Sequence, residues 1–204
     1  GLRDVHKMVA ASHHLLLSHG HAVPVIRANS ADSQVGITLN LSTATPASPS
    51  LADRQAARLD DGRLNRWYLD PLAGRGYPQD TLQFFNTSMN CILPGDLEQI
   101  AVPIDFLGVN YYRRGVARSR TVPESENLPR TVFLNDEFTD MNWEVCPEGL
   151  YDTLGRLHFD YGFPAIYITE NGAAYKDQVV DGQVDDPERI SYIQRHLQQV
   201  QRAI

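Results

Sequence analysis

Apolar side chains recur at three- and four-residue spacing over residues 2–19, where Leu2, Val5, Met8, Val9, Leu15 and Leu16 share one face of a helix and Gly20 follows as its stop. No capping residue opens this helix. The period then changes to two. Val35, Ile37, Leu39 and Leu41 alternate with Gly36, Thr38 and Asn40, which predicts a strand, and residues 42–50, with two prolines, read as the loop leaving it. Ser50 and Asp53 have the spacing of a capping box, placing Leu51, Leu59, Leu64 and Trp67 on the helix that follows. Leu82, Phe85 and Met89 mark another helical face. The run Ile104 to Tyr112 predicts a second strand, and residues 113–142, largely polar, follow it. Pro147 opens a helix through Leu150, Leu154 and Leu157 that stops at Gly162. Ala165 to Thr169 predicts a third strand, delivering Glu170, Asn171 and Gly172 into a turn. Asp186 and Pro187 then start a helix bearing Ile190, Ile193, Leu197 and Val200.

Helices alternate with nearly continuous apolar strands, so the fold class is α/β with a parallel sheet, either a (β/α) barrel or a doubly wound sheet. The segments leaving the strands, 42–50, 113–146 and 171–185, are longer than those entering them, which favours a barrel with its site at one end. Three strands are too few to close one, since eight are needed. On strand count alone a barrel would be incomplete.

Composition narrows the functions. With 18 Lys and Arg against 25 Asp and Glu the net charge is −7, and the densest basic stretch, Arg113, Arg114, Arg118 and Arg120, is diluted by small residues, so nucleic acid is not an expected partner. No apolar run approaches a membrane span. Cys91 and Cys146 have no metal-binding spacing and read as free thiols, which suits a reducing, cytoplasmic setting. His13, His14, His19 and His21 lack an acidic neighbour in sequence and read as solvated, so neither metal nor cofactor is expected.

Glu170 is the principal chemical candidate, because a carboxylate at the C-terminal end of a buried parallel strand lies where such sheets gather their reacting groups. The string Tyr167-Ile168-Thr169-Glu170-Asn171-Gly172 resembles the nucleophile motif of glycoside hydrolase family 1, the β-glucosidase family. Asp105 to Tyr112 is similar to that family's sixth barrel strand, and Asn142-Trp143-Glu144-Val145 with Pro147-Glu148-Gly149-Leu150 to its segment before the seventh. Asn65 to Leu72, Gly76-Tyr77-Pro78, His13 to Leu17 and Val35 to Asn40 also resemble it, in order along the chain.

The resemblance implies that the whole protein is a retaining β-glycosidase on a TIM barrel, acting on β-glucosides or related oligosaccharides, and that residues 1–204 are a single domain making an incomplete part of that barrel. Two carboxyls about 5 Å apart serve such enzymes, one as nucleophile and one as acid then base. It implies that Glu170 is the nucleophile, that Tyr112 orients it, that Asn110 lies beside the sugar, and that Trp143 stacks beyond the cleaved bond. Without the family, Tyr111 and Tyr112 would be ordinary strand formers, Asn110 a strand-end cap and Trp143 core filler, and Trp67 is assigned to helix packing in either case. The family's Asn-Glu-Pro acid/base motif does not occur in these 204 residues, nor does its Trp-rich eighth strand. The expected coverage is strands five to seven, with the first and last barrel segments absent. Glu137, Glu144 and Glu148 read as surface charges rather than a substitute acid. The isolated chain is thus expected to be inactive unless a complementary chain supplies the rest of the barrel. The alternative is a non-catalytic fragment that binds carbohydrate or associates with its own copies.

Overall fold

A computed structural model describes residues 4–125 and 129–204. Three parallel strands lie side by side in chain order, β1 (Gly36–Pro46), β2 (Phe106–Ala117) and β3 (Ile166–Glu170). Sequential order with parallel pairing is the pattern of a winding barrel, and this arc does not close on itself. Both strands β1 and β2 run further than their alternation predicts. Thr43 to Pro46 still pair with Arg114 to Ala117, beyond a register shift after Leu41. The extra residue is on β2, where Tyr112 and Arg113 stand opposite the single Ser42 of β1; the Ser42 amide is satisfied by Asn65 Oδ1 at 3.2 Å and its carbonyl by Asn65 Nδ2 at 2.8 Å, so β1 keeps no orphaned backbone group at the bulge.

The two faces of the arc differ, as period two requires. Leu39, Leu41, Leu107, Val109 and Tyr111 point to the helices and are buried, with Leu107, Val109 and Tyr111 wholly so. Thr38, Asn40, Tyr167 and Thr169 occupy the alternate positions and are exposed. Gly108 lies on this open face between neighbours, and a Cβ there would meet Thr38 Oγ1 at 2.3 Å and Thr169 Cγ2 at 3.1 Å.

Helix α1 (Val5–Asn29) starts on a cap after all, with Asp4 Oδ1 accepting from the Lys7 amide at 3.2 Å, and Leu2 lies outside the described residues. It also passes through Gly20 and Pro24 instead of stopping. Gly20 is there for contact. A Cβ would sit 2.1 Å from the Gln99 carbonyl oxygen of α5 (Asp96–Ile100). Pro24 has no N–H to give the Gly20 carbonyl four residues earlier, and Gln99 Nε2 donates to that carbonyl at 2.6 Å in its place. Although α1 has 25 residues, no helix among the described residues is long and apolar enough to cross a membrane.

Half of the capping box forms: Ser50 Oγ accepts from the Asp53 amide at the start of α2 (Leu51–Asp61), while the Ser50 amide donates to Ser48 Oγ at 3.4 Å in place of the Asp53 carboxylate. A single π turn (Gly62–Arg66) carries this rod into α3 (Trp67–Leu72), where Trp67 packs in the core and donates Nε1–H to Ser12 Oγ at 2.8 Å. Leu51 and Leu64, expected inward, are exposed, and Asp53 and Ala57 are buried instead. Helix α4 (Gln79–Phe85) ends at a left-handed Asn86, short of Met89. Helix α6 (Pro147–Arg156) and its terminal π turn (Leu157–Tyr161) stop at Gly162 (φ +68°), with Leu150, Leu154 and Leu157 buried as expected. A two-residue hairpin, β4 (Val179–Val180) and β5 (Gln183–Val184), precedes α7 (Pro187–Ala203).

His13 is not solvated. It is buried, with Nδ1 3.0 Å from the Tyr77 hydroxyl and Nε2 3.1 Å from Asp96 Oδ2, a cross-link between α1 and two later segments that sequence spacing does not reveal. Cys91 and Cys146 are both free thiols, and burial raises the pKa of Cys146.

Candidate active site

The site forms on the open face where β3 ends against the middle of β2. A register shift between Val109 and Asn110 brings Asn110 opposite Glu170, the last residue of β3. Tyr112, two residues on and therefore on the same face as Asn110, donates its hydroxyl to Glu170 Oε2. This bond is the main reason that the Tyr112 hydroxyl is held above its ordinary pKa, with burial and the carboxylate charge adding to it, so the phenol stays a donor. Thr169 Oγ1 donates to Asn110 Oδ1 at 2.7 Å, which leaves the NH2 end of Asn110 to donate to a ligand. Trp143 stands beside Tyr112, ring centroids 5.5 Å apart, and the Arg113 guanidinium lies 5.5 Å from the Trp143 ring. The four residues singled out from the sequence, Asn110, Tyr112, Trp143 and Glu170, thus meet at one end of one sheet.

Two residues that the sequence reading passed over fix these strand ends from behind. Tyr192 of α7 is fully buried and donates its hydroxyl to the Tyr112 carbonyl at 3.0 Å. Asn171 Nδ2 donates to the Tyr111 carbonyl at 2.8 Å and to the Tyr192 oxygen at 3.3 Å, so the residue after Glu170 is tied to the backbone beside Tyr112. His196 stacks on Tyr192 with centroids 3.9 Å apart, and its Nδ1–H donates to the Tyr192 carbonyl at 2.7 Å. Burial lowers the His196 pKa and raises that of Tyr192, so both stay neutral. The clue to Tyr192 is that it falls off the apolar stripe Ile190, Ile193, Leu197, which is itself exposed; the helix turns Tyr192, His196 and Gln199 inward.

Of the three carboxylates read as surface charges, only Glu148 is exposed. Glu144 is buried, ion-paired to Arg114, and accepts from the Leu134 amide at 3.2 Å. Glu137 is half-buried and held by both Nη atoms of Arg195. Among the described residues no three His, Cys, Asp or Glu side chains converge as a metal site would require.

The profile of glycosyl hydrolase family 1 matches residues 1–204. Beta-glucosidase A of Acetivibrio thermocellus is 42% identical over 208 residues, covering 100% of this chain and 46% of that protein. The crystal structure of a beta-glucosidase from Exiguobacterium marinum superposes with a TM-score of 0.88 at 38% identity, over 98% of this chain and 46% of that one. The AHE enzyme from Alicyclobacillus herbarius gives 0.84 at 42% identity, over 94% and 43%. The chain thus spans just under half the length of the relatives it matches. Because the family profile, the identity and the superposition all extend over nearly every residue, the chain belongs to glycosyl hydrolase family 1, and its three strands are one arc of that family's TIM barrel.

Proposed function

We propose that this chain carries the nucleophile half of a retaining β-glycosidase active site, with β-glucosides as the substrate class. The observation that carries the reading is the Tyr112 hydroxyl of β2 bound to Glu170 at the end of the neighbouring β3, beside an aromatic wall at Trp143. In the first step a Glu170 oxygen bonds to the sugar's C1 as the C1–O bond to the aglycone breaks, and the departing oxygen takes a proton from an acid. Water then displaces Glu170, giving up its proton to the same group, and two inversions at C1 leave the configuration retained. Tyr112 fixes which oxygen of Glu170 faces C1, Asn110 donates to a sugar hydroxyl, and Trp143 offers a flat face to the apolar side of the aglycone or neighbouring sugar.

The acid is the part this chain does not supply in the reading. It has no Asn-Glu-Pro, and Glu137 and Glu144 are both engaged by arginines. General acid help is worth roughly 10²- to 10⁴-fold, so the 204 residues alone are expected to be inactive on aryl β-glucosides, and a polypeptide supplying the other strands is expected to restore turnover. The test joins this chain to such a polypeptide and treats it with an activated 2-deoxy-2-fluoro-β-glucoside. A covalent adduct on the peptide bearing Glu170, lost in Glu170→Gln, is expected. An adduct on any other residue sinks the assignment.

A further inference from the structure

The Glu144–Arg114 pair is hard to explain as a stability device. A buried carboxylate and guanidinium lose hydration that their attraction barely returns, and an apolar pair of equal volume does as well or better. Glu144 has only 3% of its side chain exposed and Arg114 18%, so the loss is large. The best-attested use of such a pair is to set register. The residue next to Glu144 is Trp143, and on β2 the extra residue between Tyr111 and Arg114 puts Arg114 on the side of Tyr111, opposite to Tyr112.

The local backbone makes that adjacency matter. Residues 137–145 form a tight antiparallel loop, with Phe138 bridged to Glu144, the Thr139 amide donating to the Trp143 carbonyl at 3.0 Å, and the Val145 amide to the Glu137 carbonyl at 3.0 Å. Asn142 takes the left-handed turn at φ +57°. Extended residues alternate sides, so burying Glu144 against β2 turns Trp143 the opposite way, onto Tyr112. A slip of one residue would bury the indole and expel the carboxylate. Two further ties hold the loop's outer edge: the Arg195 fork on Glu137 from α7, and the Asp140 amide donating to the Ala174 carbonyl at 2.8 Å in the segment after β3.

We infer that Glu144 and Arg114 are positioning residues which set the register of the 137–145 loop and so hold Trp143 as a wall of the site. The inference deepens the glycosidase reading, because it makes a buried ion pair the determinant of how the group beyond the cleaved bond is held.

The chain has two tryptophans, Trp67 in the core and Trp143 at the site, so 5-fluorotryptophan labelling of the full chain gives two 19F resonances, assigned with Trp143→Phe. In Arg114→Met the Trp143 resonance is expected to move to the position of solvent-exposed indole while the Trp67 resonance stays in place, and Arg114→Lys should restore part of the shift. A Trp143 resonance unmoved in Arg114→Met overturns the inference. Should Arg114→Met also displace Trp67, the milder Glu144→Gln, which keeps the side chain's shape and can still accept from Leu134, is read by the same two signals. Movement of Trp143 alone supports the register role; no movement, or equal movement of both tryptophans, overturns it. None of these readouts involves turnover or Glu170, so the outcome is separate from that of the fluoroglucoside labelling.

Discussion

The link between Tyr112 and Glu170 is a single hydrogen bond from a phenol to a charged acceptor. A hydrogen bond to a charged acceptor contributes about 1.5–3 kcal/mol, which corresponds to roughly 10- to 100-fold in rate if it acts on the reacting geometry. Tyr112→Phe in the completed barrel is therefore expected to lower kcat by roughly that factor with little change in KM, measured on an aryl β-glucoside. Tyr192→Phe removes a neutral bond one layer further out, from the Tyr112 carbonyl. Its loss should be smaller, about 5-fold on the 1 kcal/mol scale of such bonds, and again in kcat. A drop confined to KM in either variant would argue that these groups bind substrate and do not orient the carboxylate. The two residues also differ in how legible they were. Tyr112 sits in a recognisable string with Asn110, whereas Tyr192 owes its place to a carbonyl 80 residues away in sequence. His13 and Glu144 were misread for the same reason: their partners, Tyr77 with Asp96 and Arg114, are distant along the chain, and a polar residue's burial is decided by partners that periodicity does not contain.

At the level of elements, the strands and most helices followed from the apolar period, and the errors fall where two elements touch. Gly20 reads as a stop by composition and acts as a contact, because α5 crosses α1 there. Gly20→Ala is expected to cost about 1–3 kcal/mol by forcing the helices apart, visible as a lower urea midpoint, even though alanine is the better helix former. Asp53 shows a second kind of tie. Placed in the first turn of α2, it accepts from Ser48 Oγ at 2.6 Å and from the Ser119 amide at 2.8 Å, and so fastens the helix to the segment leaving β2. The Ser48 bond first, and the Ser119 bond next, hold its pKa below the ordinary carboxylate value. In the unfolded chain the group titrates at about 3.9, so its contribution is present above that pH and is lost as pH falls through the lower folded value. Asp53→Asn should accordingly be less stable than the parent at pH 6 in thermal melts, with the gap closing below about pH 4. A gap independent of pH would mean that the carboxylate's charge has no part in the fastening.

Among the described residues the chain forms an arc with two strand edges, β1 and β3, that pair with no further strand, and an open face carrying Thr38 and Asn40 opposite the buried leucines. Unpaired parallel edges present rows of free N–H and C=O groups and are templates for further strands. On α7 the stripe Ile190, Ile193 and Leu197 adds apolar area facing outward. These surfaces have opposite consequences for site and stability. The helix-facing layer is complete enough to bury Leu107, Val109 and Tyr111 fully, so the geometry around Glu170 is set from behind within this chain. In the proposed reading, the layer in front of Glu170 that holds the second carboxyl and the sugar-binding groups of a retaining site comes from strands continuing those edges. Adding a polypeptide with the remaining strands of a family 1 barrel should therefore do two separable things. It should raise the urea midpoint by covering edge and stripe, and it should bring aryl β-glucoside hydrolysis from background to measurable turnover. Carrying Glu170→Gln in this chain should leave the first effect intact and abolish the second. If the variant lost both, Glu170 would be a structural residue of the sheet; if it lost neither, the reacting carboxylate would lie elsewhere.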